Sequence, residues 1–319
     1  MANPLVTVIC LCYNHERFVS AAIESVVNQT YRELQIIVWD DGSSDSSPAV
    51  ITELKLKYPQ LLVTLSSNNQ GNCRAFNQAF ALAKGDFIID FSTDDIMHEQ
   101  RIAKQVDWLQ HSDDQTGVVF TDATYITERG DLIRHHYEHL FRHGLINEIT
   151  TGDVFQKVLT TYYIASPTMM MRRSVLDKLG GYDEQLTYED FDLWVRSARL
   201  FKYTFLNERL TLIRKLTTAM SSGMYRVGDK QLLSTYHVCL KAVDLCRNEQ
   251  DKNALAQRVR YEFRQSTMSE NYQEANYFWE LLQSLDSPRL EDKFWRMVFF
   301  MRIPLAGWRR LYHRLRYSN

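Results

Sequence analysis

The residues best suited to chemistry are acids gathered where apolar runs end. Asp40 and Asp41 close the run Leu34 to Trp39 and lead into Gly42-Ser43-Ser44-Asp45. Ser92, Thr93, Asp94 and Asp95 follow the run Phe87 to Phe91 in the same way. Carboxylate oxygens are the preferred ligands of hard cations such as Mg²⁺, which usually binds one or two of them plus substrate phosphates. Acids after two separate apolar runs are therefore what a metal–nucleotide site requires. A third group, Glu189-Asp190-Phe191-Asp192, sits in Thr187 to Arg196, which reads as a helix start. Each group also has a structural reading. Asp before Gly can simply form an Asx-turn, Asp95 can cap a following helix, and Thr187-x-x-Asp190 resembles a capping box. His135, His136, His139 and His143 contain an i, i+4 pair that a metal could use. No acidic or Cys partner lies at a useful offset, so they read as a solvated segment.

The elements that must position these acids follow from periodicity. Val6 to Cys12 is a continuous apolar run and reads as a buried strand, followed by helical spacing from Phe18 to Val27. Leu34 to Trp39 is a second strand, Pro48 to Tyr58 a helix and Leu61 to Leu65 a third strand. Arg74 to Lys84 is helical, Gly85 ends it, and Phe87 to Phe91 is a fourth strand. Alternation of this kind predicts α/β architecture built from βαβ units around a largely parallel central sheet flanked by helices. Ligands of such sheets lie beyond the carboxyl ends of the strands. That edge carries Tyr13-Asn14, Asp40-Asp41, Asn68-Asn69 and Ser92 to Asp95. Neither G-x-G-x-x-G nor a Gly-Lys-[Ser/Thr] loop occurs, so a dinucleotide fold and a P-loop are not expected.

Composition sets the outer limits. The chain has 319 residues, 37 Lys+Arg against 39 Asp+Glu, 45% hydrophobic and 24% charged residues. These are globular proportions, and they exclude a disordered chain or a small disulfide scaffold. A net charge of −2 removes the broad basic footprint of a dedicated nucleic-acid binder. Cys10, Cys12, Cys73, Cys239 and Cys246 contain no C-x-x-C pair, which predicts reduced thiols and a cytoplasmic protein. No signal peptide or membrane-spanning run is expected. Residues 1–224 are expected to form the α/β domain and 225–319 a helical region. Its last stretch, 289–319, has eight basic residues against Glu291 and Asp292, interleaved with Phe294, Trp295, Phe299, Phe300 and Trp308. Basic residues mixed with aromatics suit a helix lying on an anionic membrane surface, split at Pro304. The other reading is a helix packing its aromatic face onto the domain.

Taken in order, these segments resemble the family-2 glycosyltransferases. The resemblance is carried by Val6-Thr7-Val8-Ile9 leading into Tyr13-Asn14, then Ser25 to Tyr31 and Asp40-Asp41-Gly42-Ser43-Ser44-Asp45. It continues through Asn69-Gln70-Gly71, Asn77, Ala83-Lys84-Gly85-Asp86 and Thr93-Asp94-Asp95. Gly180-Gly181-Tyr182-Asp183-Glu184 and Glu189-Asp190-Phe191-Asp192-Leu193-Trp194 complete it, over residues 5 to 215. The resemblance implies a GT-A fold, a nucleotide-sugar donor, a divalent metal (Mg²⁺ or Mn²⁺) and inversion at the anomeric carbon. It implies Asp94 as metal ligand, with Tyr13, Asn14, Asp41, Asn77 and Ser92 around the nucleotide-sugar. Asp190 is implied as general base with Glu189 as the fallback, and Trp194 as a wall on the acceptor side. The acceptor implied is a glycan or lipid-linked glycan in surface-polysaccharide assembly, and UDP is the expected nucleotide. Two residues depart from the pattern. The usual D-x-D is Ser92-Thr93-Asp94 here, and the usual Arg before Asn77 is Phe76, with Arg74 two positions earlier. A nucleotidyltransferase would need a Gly-rich loop where Tyr13-Asn14-His15-Glu16 stands. A non-catalytic glycan or nucleotide binder on the same fold is the other class, suggested by Ser92 and opposed by Asp190.

Overall fold

The computed structural model describes residues 3–216, 225–305 and 307. Strand β1 (Val6–Cys12) is buried at all seven positions, as a strand covered by helices on both faces must be. Its side chains alternate between two cores, Ile9 and Leu11 on one face of the sheet and Val8, Cys10 and Cys12 on the other. Helix α1 (Val19–Val27) buries Val19, Ala22, Ile23 and Val26, the helical spacing read from the sequence. Next come β2 (Leu34–Asp40), α2 (Ser47–Lys57), β3 (Leu62–Leu65), α3 (Asn72–Phe80) and β4 (Phe87–Ser92). All pairings among these four strands are parallel, so their carboxyl ends share one edge.

The second half of the sheet is mixed. It contains β5 (Ile96–Met97), α4 (Arg101–Gln110), β6 (Thr116–Ile126), β7 (Leu132–His135), α5 (His136–Arg142) and α6 (Phe155–Thr160). These are followed by β8 (Met170–Arg172), α7 (Arg173–Leu179), α8 (Asp190–Ser197) and β9 (Lys202–Arg214). The strand order is β3-β2-β1-β4-β8-β6-β9-β5, with β7 added on β6. Strand β8 is antiparallel to both β4 and β6, whereas β6 and β9 are parallel. After β9 the described residues form four helices: α9 (Lys230–Leu245), α10 (Glu249–Met268), α11 (Tyr272–Leu285) and α12 (Leu290–Met301).

Two local expectations are corrected. Asp95 caps no helix, because β5 intervenes and α4 begins at Arg101. Its buried carboxylate instead accepts the backbone N–H of Arg214 at 2.8 Å, tying the turn after β4 to the end of β9. The fully buried Arg101 lies near it and bonds Gln105 Oε1 at 3.0 Å and the Met169 carbonyl at 3.1 Å. The histidines are not a uniformly solvated segment either. His136 is buried with Nε2 2.8 Å from the Tyr163 carbonyl, and His135 lies 3.1 Å from Thr124 Oγ1. Their ring nitrogens are thus engaged within the fold. Among the described residues no cluster of three His, Cys, Asp or Glu side chains could hold a metal.

Candidate active site

The first corner of the site forms where β1, β2 and β4 end together. Asn14 takes a left-handed backbone, φ 58°, that Asn tolerates better than most residues. This aims its N–H at Ser43 Oγ, 2.8 Å away, while its Oδ1 accepts the Ser44 N–H at 2.8 Å. The Asx-turn read from the sequence belongs to Asp40, whose carboxylate accepts the Ser43 N–H at 2.9 Å and hydroxyl at 2.5 Å. Asp41 has a different task. Its carboxylate accepts the backbone N–H groups of Gln70 at 3.0 Å and Gly71 at 2.9 Å, holding the loop that starts α3. Burial raises the Asp41 pKa, and those two N–H bonds offset part of the rise. Gly42 makes the crossing possible: with φ +73° it passes so close to Asn68 that a Cβ would fall 2.4 Å from the Asn68 carbonyl carbon. Tyr13 stands exposed at this corner. His15, which the sequence reading missed, bridges it to the next turn, with Nδ1 2.9 Å from Thr93 Oγ1.

At the end of β4 the Ser92 hydroxyl donates to Asp94 Oδ1 at 2.5 Å. Arg214 Nε donates to the Asp94 carbonyl at 3.0 Å. The turn is therefore fixed through its backbone and its neighbour Asp95, leaving Asp94 half-buried with its carboxylate bonded only to Ser92 among the described residues.

The second corner is built by α8. Asp190 is its first residue, and the N-cap Glu189 makes no side-chain cap bond. The capping box does not form, because Thr187 Oγ1 is drawn to Ser234 Oγ on α9 at 3.0 Å, and the Thr187 N–H donates to the same oxygen. Glu189 Oε2 accepts from Asn72 Nδ2 at 2.5 Å. Behind them lies Asp90 on β4, whose Oδ2 accepts the Tyr182 hydroxyl at 3.0 Å. Sequence reasoning missed Asp90 too, although an acid interrupting an otherwise apolar strand was a visible signal. Burial pushes the Asp90 pKa up to about 7, with the Asp190 charge adding to it. Burial also raises Glu189 well above the usual carboxylate range, helped by Asp190 and Asp90. Burial raises Asp190 as well, opposed by its neighbours Ser166 and Glu189.

Helix α9 holds this corner in place. Lys241 bridges Asp183 and Asp192, each at 2.6 Å, and Asp192 also pairs with Arg196 at 2.7 Å. Tyr188 OH meets Thr235 Oγ1 at 2.5 Å. Two predicted site residues are structural in this arrangement. The Asn77 amide is engaged by the segment before α8, donating to the Tyr182 carbonyl at 2.9 Å and Glu184 at 3.0 Å while accepting the Tyr182 N–H at 2.8 Å. Trp194 is 4% exposed and packs in the core against Tyr162, ring centroids 5.7 Å apart, so it offers no open wall. The helical period places Trp194 one turn past Asp190 on the inward face.

Residues 7–180 match the family model described as glycosyl transferase family 2. An uncharacterized glycosyltransferase of Methanocaldococcus jannaschii is 28% identical over 240 residues, 74% of this chain and 79% of that protein. One from Nostoc is 37% identical over 108 residues, 34% of each chain. Among solved structures, S. aureus TarS 1-349 in complex with UDP-GlcNAc aligns with a TM-score of 0.72 at 17% identity, covering 96% of this chain and 92% of that one. A mannosyltransferase from Pyrobaculum calidifontis in complex with GDP-Man and Mn²⁺ gives 0.59 at 16% identity, covering 96% and 87%. These likenesses establish the GT-A fold.

The half-buried Asp90 generates a pH prediction. A carboxyl whose pKa rises from 3.8 to about 7 on folding favours the folded state at low pH. That contribution is lost as pH climbs from about 4 to about 7. Asp90→Asn keeps an acceptor for Tyr182 and removes the titration. Relative to wild type, the variant is expected to gain about 2–4 kcal/mol between pH 4.5 and 7.5. Urea unfolding at both pH values reads the difference, and an unchanged difference would rule out the buried titration.

Proposed function

Because the chain belongs to glycosyl transferase family 2, we propose that it is an inverting, metal-dependent enzyme moving one sugar from a UDP-sugar to a glycan or lipid-linked hydroxyl. The observation that carries this reading is Asp190. It opens α8 uncapped and half-buried beside Glu189, with its pKa raised toward the pH at which a base works best. In the proposed step the acceptor oxygen attacks the anomeric carbon while Asp190 takes the hydroxyl proton. The bond from that carbon to the diphosphate oxygen breaks, and the electron pair leaves with the nucleotide. Glu189, held by Asn72, is a neighbour that shapes the charge of the base rather than the base itself.

Asp94 fits a metal bound largely through substrate phosphates: one half-buried carboxylate at a strand end, with Ser92 in place of a second. When bound, such a cation would neutralise charge developing on the leaving diphosphate. Tyr13 and the loop held by Asn14, Asp40 and Asp41 would receive the nucleoside. Asn77 acts by positioning the Gly181–Glu184 segment. UDP rather than GDP follows the likeness to the UDP-GlcNAc complex. A second reading, a nucleotide binder without turnover, rests on Ser92, since a hydroxyl brings no charge to the metal.

The acceptor proposal rests on α12. It turns Trp295 and Phe299 inward against the core, while Leu290, Phe294, Met297, Phe300 and Met301 are exposed. Its two acids are neutralised by α10: Asp292 pairs with Arg260 at 2.9 Å, and Glu291 with Arg264. Both sequence-based readings thus find support, an inward aromatic face and an outward apolar one flanked by Lys293 and Arg302. Residues 306 and 308–319, with four further arginines, lie outside the described residues. No described helix is long and apolar enough to cross a membrane. We place the lipid-linked acceptor at an anionic membrane surface met by this face.

Two measurements test the reading. Calorimetric titration of UDP with Mn²⁺ should give binding in wild type, no metal-dependent binding in Asp94→Ala, and affinity within about twofold of wild type in Asp190→Asn. Absence of nucleotide binding under every condition would refute the donor assignment. For the membrane face, Phe294→Glu with Met297→Glu should lower partitioning onto phosphatidylglycerol vesicles by about tenfold or more. Equal sedimentation of wild type and variant would rule out that face.

A further inference from the structure

A pair of cations beside the Asp94 turn has no carboxylate in ion-pair contact among the described residues. Tyr125 on β6 lies opposite Arg134 on β7 and beside the end of β9, where the Lys215 N–H bonds the Ile126 carbonyl at 2.9 Å. Arg134 Cζ sits 4.9 Å and Lys215 Nζ 4.7 Å from the centroid of the same Tyr125 ring. Neither cation forms an ion pair among the described residues, whereas most other arginines of the sheet domain are paired or bonded to carbonyls. Arg134 Nη1 reaches His139 Nε2 at 3.4 Å, and its buried Nε has no partner. His139 does not offset the charge, since it is no anion.

Two positive groups sharing one ring and partly withdrawn from water repel each other, so an arrangement of this kind gains stability when an anion arrives. Burial lowers the Lys215 pKa, Arg134 lowers it further, and the nearby Asp95 and Asp94 act in the opposite sense. The pair therefore stands within electrostatic reach of the metal-side turn. It also lies near the base, because Asp190 and Asp95 both act on the Tyr125 phenol. Helix α3 supplies no comparable charge at the site: Phe76 is buried against Tyr182, ring centroids 4.1 Å apart, and Arg74 lies 3.9 Å from Glu184.

We propose that Arg134 and Lys215, seated on Tyr125, form a phosphate subsite between the Asp94 turn and Asp190. The assignment rests on the glycosyltransferase reading for its occupant, either the diphosphate of the donor or a phosphate carried by the acceptor. Both sources share the chemistry of an oxyanion bound by a guanidinium fork and an ammonium.

The test uses wild type, Lys215→Gln, Arg134→Gln and the charge-keeping Lys215→Arg, titrated with UMP, UDP and inorganic phosphate in the presence of Mn²⁺. If the donor diphosphate is the occupant, each Gln variant weakens UDP by about five- to twentyfold and UMP by less than twofold, and Lys215→Arg restores UDP binding. If an acceptor phosphate is the occupant, UDP affinity is unchanged, and UDP-saturated wild type binds inorganic phosphate that the Gln variants do not. The proposal is overturned if neither ligand is weakened beyond twofold in variants that melt like wild type. Should the Gln variants not fold, amine labelling of wild type decides: UDP or phosphate protects Lys215, and labelling that neither slows overturns the subsite. Failure of wild type to bind UDP would refute the donor reading alone, because phosphate binding still tests the pair.

Discussion

Three half-buried carboxylates at one corner of the site each hold a proton more tightly than a free acid does, chiefly because they are withdrawn from water. Asp90 on β4 lies within electrostatic reach of Glu189 and Asp190 at the start of α8, and burial is the largest cause of the raised pKa in each. Keeping them there requires that each be held by something other than a counter-charge. The Tyr182 hydroxyl serves Asp90 and the Asn72 amide serves Glu189, both neutral donors. Neutral donors fix position while leaving the acids basic, which an arginine partner would not do.

Much of the remaining fold supports that arrangement. Tyr182 is positioned by the two-way amide contact with Asn77, and a Cβ at Gly181 would meet Asn77 Oδ1 at 2.4 Å. The α8 start is drawn open by Ser234 and Thr235, and its flank is pinned by Lys241 between Asp183 and Asp192. The C-terminal helices thereby set the position of an acid that belongs to the sheet domain. On the other side of the site, Asp94 is freed by letting its carbonyl and its neighbour Asp95 take the contacts with Arg214.

The strands and first helices were legible because apolar runs and helical spacing report burial directly, and the acids stood out because they follow those runs. Asp94 was singled out in this way and Asp190 in a helix start, with the family resemblance implying a role for each. What was not legible depends on partners distant in the chain. Asn77 looked like a pocket residue, but its partners lie about a hundred positions away at Tyr182 and Glu184. Asp95 looked like a helix cap because the two-residue β5 is too short for any pattern to announce. Trp194 has the composition of a sugar platform, but it is buried in the core, where Tyr162 packs against it. The capping box at Thr187 was a sound local reading that Ser234, 47 residues later on α9, overrides.

The central claim is that Asp190, rather than its neighbour Glu189, removes the acceptor proton. It is tested most directly by the rate of UDP release from UDP-sugars in the presence of a competent acceptor, compared among wild type, Asp190→Asn and Glu189→Gln. The account predicts a loss of about 10²- to 10⁴-fold for Asp190→Asn and a much smaller loss for Glu189→Gln. Retained turnover in Asp190→Asn with collapse in Glu189→Gln would contradict it.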